Sequence, residues 1–262
     1  CEKQEMREEL LNKLPTWYKN INKNKYYLIL SNDMDSFYSC QLLHKKFGVQ
    51  IGGFFDINNG FYVDRAIAKG KEPIGVDLSL THGKCFDNHF TMLKNPQAIN
   101  PNVIINDYYK KYNGSTFAFL LALYNINLHK FNDLQTGVTI ALDGWNAGYY
   151  KYNGKFRDVT INWTILFEID DVILPFLAKH DKQYFADLND KYHVNTQISV
   201  QNGKLYRRGY VIKGDYSMIL QYPVERLYLD DVSMQYIAHD NILTSAATFK
   251  HRYSICRKGE LT

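Results

Sequence analysis

The stretch YYLILSNDMDSFYS, Tyr26 to Ser39, limits the fold more than any other part of the chain. Tyr26 to Leu30 is a short continuous apolar run, closed by a polar turn and followed by helical spacing of apolar residues. A run of this kind reads as a strand covered on both faces, as in a parallel α/β sheet. Such sheets bind ligands outside the carboxyl ends of their strands. Two carboxylates of the turn, Asp33 and Asp35, stand at that position. Two hard oxygen donors one residue apart suit one divalent cation, or divide between two. They equally suit a local role, Asp33 as the cap of the following helix and Asp35 as an acid of its first turn.

The rest of the chain extends this pattern. Residues 2–14 have the spacing of a short helix, with Leu10, Leu11 and Leu14 on one face. Phe37 to Phe47 reads as a helix stopped by Gly48, and Val49 to Phe55 as a second strand ending at Asp56. NNGFYVDRAIAKGK reads as a turn and a short helix ending at Gly70, and PIGVD as a third strand with Asp77 at its carboxyl end. Strand, helix, strand, helix, strand is the order of a parallel α/β sheet.

The polar loop that follows, LSLTHGKCFDNHF, brings together His82, Asp87, Asn88 and His89, residue types that ligate metals or substrate; His82 also suits a solvated loop. Ser115 to Tyr124 is apolar enough for a buried helix, with Ser115 or Thr116 as its cap and Gly114 permitting close approach of a phosphate. Phe131 to Leu142 reads as a helix that delivers Asp143 into a glycine-containing turn. Residues 159–190 hold two or three helical patterns split by Pro175 and the Asp170–Asp171 pair. From Asn195 the pattern turns to short strands, with a hairpin turning at Asn202-Gly203. Lys250, Arg252 and Arg257 of the tail, with Arg207 and Arg208, would line a phosphate-binding edge or simply charge a solvated one. A soft boundary near 190 divides an α/β part, 1–190, from a smaller strand-rich part, 191–262.

Composition narrows the function classes. The chain has 262 residues, 45% hydrophobic and 22% charged, the balance of an ordinary soluble globular protein able to bury a sizeable core. No apolar run has the length of a membrane span. The N-terminal CEKQEMREELLNK is charged and helical in pattern, unlike a signal peptide, and its first residue is Cys, which suggests a processed, truncated or tag-trimmed start. A net charge of +4 accommodates a phosphate-bearing partner, and some of the 21 tyrosines could stack on bases. Cys1, Cys40, Cys85 and Cys256 are widely spaced, which suits free thiols in a reducing cytoplasm and argues against a thiolate zinc site.

Asp33, Asp35, Asp77, the Asp87-Asn88-His89 triplet and Asp143 each follow a short apolar stretch that would bring them to one edge of the sheet. In this order the chain resembles the DHH phosphoesterase superfamily. That superfamily includes RecJ-type exonucleases, oligoribonucleases, cyclic dinucleotide phosphodiesterases and manganese-dependent pyrophosphatases. LILSNDMDS matches the strand and D-x-D of the first motif, PIGVD the second, Asp87-Asn88-His89 the Asp-His-His third, and IALDG the fourth. Gly114-Ser115-Thr116 matches the small-residue turn between the third and fourth motifs. The likeness spans roughly residues 26–145. Three features depart from the pattern: Ile29 replaces a histidine that many members carry, Asn88 replaces a metal-binding histidine, and no GGGH-like motif follows in the C-terminal part.

The resemblance implies a DHH-like core and two Mn²⁺ or Mg²⁺ ions, with Asp77 between them, Asp33 and Asp35 divided between them, and Asp143 and Asn88 as further ligands. It implies Asp87 and His89 as catalytic residues, with His89 on the scissile phosphate or the leaving group. Ser115, Thr116, Arg207, Arg208, Lys250 and Arg252 are the substrate-binding candidates. The substrate class is a short single-stranded oligonucleotide, a cyclic dinucleotide or a related nucleotide, and a homo-oligomer is compatible with it. The alternative is a protein of the same fold, weakened at Asn88, that sequesters a nucleotide or contacts a protein partner.

Overall fold

A computed structural model describes residues 2–56, 60–80, 82–91 and 94–207, and as strand backbone 210–211, 235–238, 244–249 and 252–256. Its centre is a mostly parallel sheet. Strands β1 (Tyr26–Ser31), β2 (Ile51–Asp56), β3 (Gly60–Val63), β4 (Glu72–Val76), β5 (Cys85–Phe86), β6 (Ala98–Ile99) and a later strand, Gln235–Ala238, lie in the order 235–238, β3, β2, β1, β4, β5, β6. β2, β1, β4, β5 and β6 run parallel; at one edge β3 pairs antiparallel with β2, and 235–238 pairs antiparallel with β3, so only β3 is reversed among these strands.

The alternation of β1 explains how the layers form. Leu28 and Leu30 face the main core, while Tyr27 and Ile29 join Phe55, Phe61, Val63 and Leu78 on the opposite face. Both faces of the strand are buried, as its apolar run requires. The main core holds most of the helices: α1 (Glu2–Lys13), α2 (Met34–Phe47), α4 (Thr116–Leu123), α5 (Asp133–Ala141), α6 (Trp145–Tyr150), α7 (Arg157–Leu166), α8 (Asp170–Lys179) and α9 (Lys182–Tyr192). The second face is covered by the short α3 (Arg65–Ala68), which approaches so closely that a Cβ at Gly52 would come 2.9 Å from both Ile67 and Tyr27. Gly48 closes α2 at φ 69°, a left-handed conformation that costs glycine little.

Three expectations about elements change. GFYV, read as the approach to a helix, is the antiparallel strand β3 paired with β2. The glycine-containing turn after Asp143 continues directly into helix α6. Pro175 lies inside α8 and does not split the helical patterns, which fall into α7, α8 and α9. The hairpin of β7 (Ile198–Gln201) and β8 (Lys204–Arg207) turns at Asn202 and Gly203, both at positive φ. It docks on the sheet: Ile198 N–H donates to the Asn32 carbonyl at 2.8 Å, and Ile198 and Leu205 belong to the main core. Among the described residues no helix is long and apolar enough to cross a membrane, and Cys40 and Cys85 are buried and not joined in a disulfide.

Candidate active site

Strands β1, β4 and β5 end side by side, and each releases a carboxylate at its carboxyl end. Ser36 fixes the first of these turns. Its hydroxyl accepts from Ser31 N–H at 2.8 Å and donates to the Val76 carbonyl at 2.7 Å, tying the end of β1 to the end of β4. Asp33 is the N-cap of α2 and accepts from Ser36 N–H at 2.8 Å, so the local role read from the sequence is present. Asp35 serves a different helix. Its two oxygens accept from Thr116 N–H and Phe117 N–H, each at 2.7 Å, at the amino end of α4. The partial positive charge of a helix amino end favours a carboxylate there.

Asp77 leaves β4 in a left-handed conformation, φ 56°, and accepts from the Thr116 hydroxyl at 2.7 Å. Asp143 follows α5 at φ 51°. Non-glycine residues at positive φ are uncommon, and they gather where a structure fixes a side chain at some cost. Ser115 caps α4 by accepting from Ala118 N–H at 2.9 Å. Ser115 and Thr116 are wholly buried; Thr116 bonds Asp35 and Asp77, and Ser115 caps the helix that carries it.

Asp87 follows β5 and is almost completely buried. One oxygen accepts from His89 N–H at 3.0 Å and pairs with His89 Nδ1 at 2.6 Å; the other accepts from Ser79 Oγ at 2.6 Å and Asn100 Nδ2 at 3.1 Å. It therefore holds and orients His89. Asn88 directs its amide nitrogen to the Gly114 carbonyl at 3.1 Å and to Asp143 at 3.0 Å. Both partners are acceptors, so the amide orientation is fixed. In this arrangement Asn88 braces Asp143.

The electrostatics divide the site. Burial, then the charge of Asp77, raises the Asp33 pKa to about 8; burial, with Asp143 contributing, raises Asp77 to about 6. Asp35 is pushed well above the usual range by burial and by Asp77, and Asp143 is raised by enclosure and by Asp33. Burial also works against charge on Asp87, but His89 and three hydrogen bonds outweigh it and hold that carboxyl below its ordinary value. For His89 burial is likewise overcome, chiefly by Asp87, and its pKa rises to about 10.

Two clefts open on this edge. One of about 780 Å³ includes His89, Tyr108, Tyr109, Lys111 and Phe156; the other, about 420 Å³, includes Asp33, Asp35, Lys151 and Asn195. They meet along Asp143, Gly144 and Ala147. Among the described residues no three His, Cys, Asp or Glu side chains are already grouped as a metal site. The donor set nevertheless suits a hard divalent cation. Each Asp35 oxygen keeps a second lone pair beyond its backbone bond, and the mutual repulsion of Asp33, Asp35, Asp77 and Asp143 is what a cation would relieve.

Of the other sequence candidates, His82 is exposed on its loop, and Arg207 is half-buried in β8 and borders neither cleft. Arg208, Lys250 and Arg257 lie outside the described residues, and Arg252 falls in a backbone-only strand, Arg252–Cys256. Sequence reading missed Ser36, Ser79 and Asn100, whose partners are distant or lie across a turn. It also missed the aromatic and basic wall at Tyr108, Tyr109, Lys111 and Lys155, which DYYKKY at 107–112 signals. Comparison with family models, with curated proteins and with solved structures gives no match.

Proposed function

We propose that the chain is a divalent-metal-dependent phosphoesterase of DHH type, which hydrolyses phosphodiester bonds in short oligonucleotides, cyclic dinucleotides or related nucleotides. The observation that carries this reading is the meeting of Asp33, Asp35, Asp77 and Asp143 with His89, which is held by Asp87, at the carboxyl edge of a parallel sheet. Bound Mn²⁺ or Mg²⁺ ions would supply Lewis acidity and an ionised water at neutral pH.

The protein groups supply the rest. The charge of Asp77 raises the pKa of both Asp33 and Asp35, which makes Asp77 the candidate for a shared ligand. Asp33 and Asp35 would divide between two ions. Asp143, braced by the Asn88 amide, would complete one coordination sphere. His89 gives Nδ1 to Asp87, which leaves Nε2 for a phosphoryl or leaving-group oxygen in the larger cleft. With its pKa near 10 that ring carries a proton at neutral pH and can donate it. Asp87 acts through His89.

A second reading, a nucleotide-binding protein without turnover, is favoured by the amide nitrogen that Asn88 presents to Asp143 where a ligating group would be needed. One experiment separates the two. A panel of a generic phosphodiester, di- and trinucleotides, cyclic dinucleotides and longer single strands is incubated with and without Mn²⁺, comparing wild type with Asp77→Ala. The enzyme reading expects manganese-dependent cleavage that falls in the variant by more than the ~10–100-fold typical of groups outside the ligand sphere. Tight binding of one panel member with no cleavage in either protein selects the second reading.

A further inference from the structure

The larger cleft has a wall that the carboxylate chemistry does not use. Tyr108 and Tyr109 stand edge to face, with centroids 5.8 Å apart and planes at 84°. Tyr109 is 55% exposed; among the described residues the other large hydrophobic side chain so exposed is Val103. Lys111 Nζ sits 4.9 Å from the Tyr108 centroid, and Lys155 Nζ lies 5.8 Å from Tyr109 and 5.6 Å from Phe156.

The wall is built before any ligand arrives. Asp107 caps the turn by accepting from Tyr109 N–H at 2.9 Å, Trp163 Nε1 donates to the Lys110 carbonyl at 3.0 Å, and Asn102 accepts from Tyr112 N–H at 2.7 Å. Lys111 is also near enough to Asp143 for its charge to lower that carboxyl's pKa, which connects the wall to the acidic site. A planar exposed ring beside two cations fits a planar base carrying a phosphate: the ring stacks and the ammonium groups meet the charge. A volume of about 780 Å³ is that of an ordinary small-molecule site. Among the described residues the smaller cleft, across Asp143, includes no aromatic residue.

We infer that the larger cleft seats one nucleotide unit, its base stacked on Tyr109 and its phosphate between Lys111 and Lys155, on one side of the acidic site. The inference rests on the phosphoesterase reading for what happens next to that unit, but not for its binding. The second nucleotide of a substrate would lie across Asp143 in the smaller cleft, beside Lys151 and Asn195.

The test measures binding with divalent ions chelated. AMP, ribose 5-phosphate and inorganic phosphate are titrated against wild type, Tyr109→Ala, Tyr109→Phe and Lys155→Ala. The exposure of Tyr109 keeps its replacements from disturbing the core. The expected result is that Tyr109→Ala weakens AMP at least about tenfold, the scale of one lost base–aromatic stack. Tyr109→Phe restores AMP binding, ribose 5-phosphate binds both Tyr109→Ala and wild type alike, and Lys155→Ala weakens all three probes. Equal AMP affinity in Tyr109→Ala and wild type, or no AMP binding to wild type, overturns the inference. Hydrolysis of bis(p-nitrophenyl) phosphate by the Mn²⁺-loaded wild type is scored separately. Cleavage with Tyr109-independent AMP binding sinks the nucleotide seat alone, and Tyr109-dependent binding without cleavage of any substrate sinks the phosphoesterase alone.

Discussion

Asp77 and Asp87 leave adjacent strands at registered positions, since Val76 pairs with Phe86, and each is nearly buried. Their charges are treated in opposite ways. Asp87 meets the His89 ring, a backbone N–H, a serine hydroxyl and an asparagine amide, and its pKa is lowered. Asp77 accepts from one threonine hydroxyl and lies against Asp33; burial and the charge of Asp143 outweigh the opposing pull of His89 and raise it to about 6. Burial is common to both, so burial does not set the charge. The count of donors and the sign of the neighbours do. A carboxylate completed by protein donors needs no cation, whereas one surrounded by others of its kind gains from one.

The largest expected effect separates the two aspartates by pH. Asp33 and Asp77 have folded pKa values near 8 and 6, above the unfolded value of 3.8. The native state then holds protons that the unfolded chain has released, so stability of the chelated protein falls as pH rises from about 4 toward 8. Each such carboxylate contributes about 1.4 kcal/mol per pH unit within its own window. Denaturant melts of the chelated protein at pH 5 and pH 8 check this. A flat or rising stability would show that the acidic cluster is already compensated, and the contrast with Asp87 would fail.

Next comes the cation itself. If the repulsion around Asp77 is what a divalent ion relieves, Mn²⁺ at a hundredfold excess over its Kd stabilises the fold by about 2.7 kcal/mol, or a rise in Tm on the order of 5–10 °C. Asp77→Asn keeps an oxygen for Thr116 but removes a charge. It should lose most of that shift while its chelated form is at least as stable as wild type. Thermal melts with and without Mn²⁺ measure both. A full shift in Asp77→Asn would place the ion elsewhere.

The sequence shows one half of this contrast and conceals the other. The apolar runs ending at Ser31 and Val76 mark their strands, and the carboxylates beyond them fall at the sheet edge as that pattern requires. The local capping role of Asp33 is also legible, because its partner is three residues away. Asp35 cannot be read in this way: its donors are the backbone of Thr116 and Phe117, supplied by a helix remote in sequence. Asn88 looks like a lost ligand until Gly114 and Asp143 are seen to converge on its amide. β3 is short, and four residues of GFYV carry too little periodicity to separate strand from helix. Helix α6 is hidden by Gly144 and Gly148, which read as a turn; Gly148 is needed because a Cβ there would meet Asn113 Nδ2 at 2.3 Å.

The smallest effect tests the protein-satisfied side. Asp87→Asn keeps one oxygen but sets an amide against the donors of His89, in a site that Asp87 shares with Ser79 and Asn100. Because the His89 side chain is 42% exposed, the ion pair is worth less than a buried one. The expected cost is about 1–2 kcal/mol at neutral pH, one charge-assisted hydrogen bond discounted for solvent. The Asp87 limb of its pH profile runs against that of Asp77. His89, raised to about 10 from 6.5, contributes stability that is complete below about pH 6.5 and is lost as pH rises through 10. Asp87, lowered from 3.8, contributes above about pH 4 and loses this as pH falls through its folded value. The penalty of Asp87→Asn is therefore greatest between about pH 4 and 6.5 and shrinks in both directions, as denaturant melts of variant and wild type across that range would record. A penalty that instead grew toward pH 10 would mean that His89 is not the partner that keeps Asp87 charged, and the two aspartates would then differ only in their neighbours of like sign.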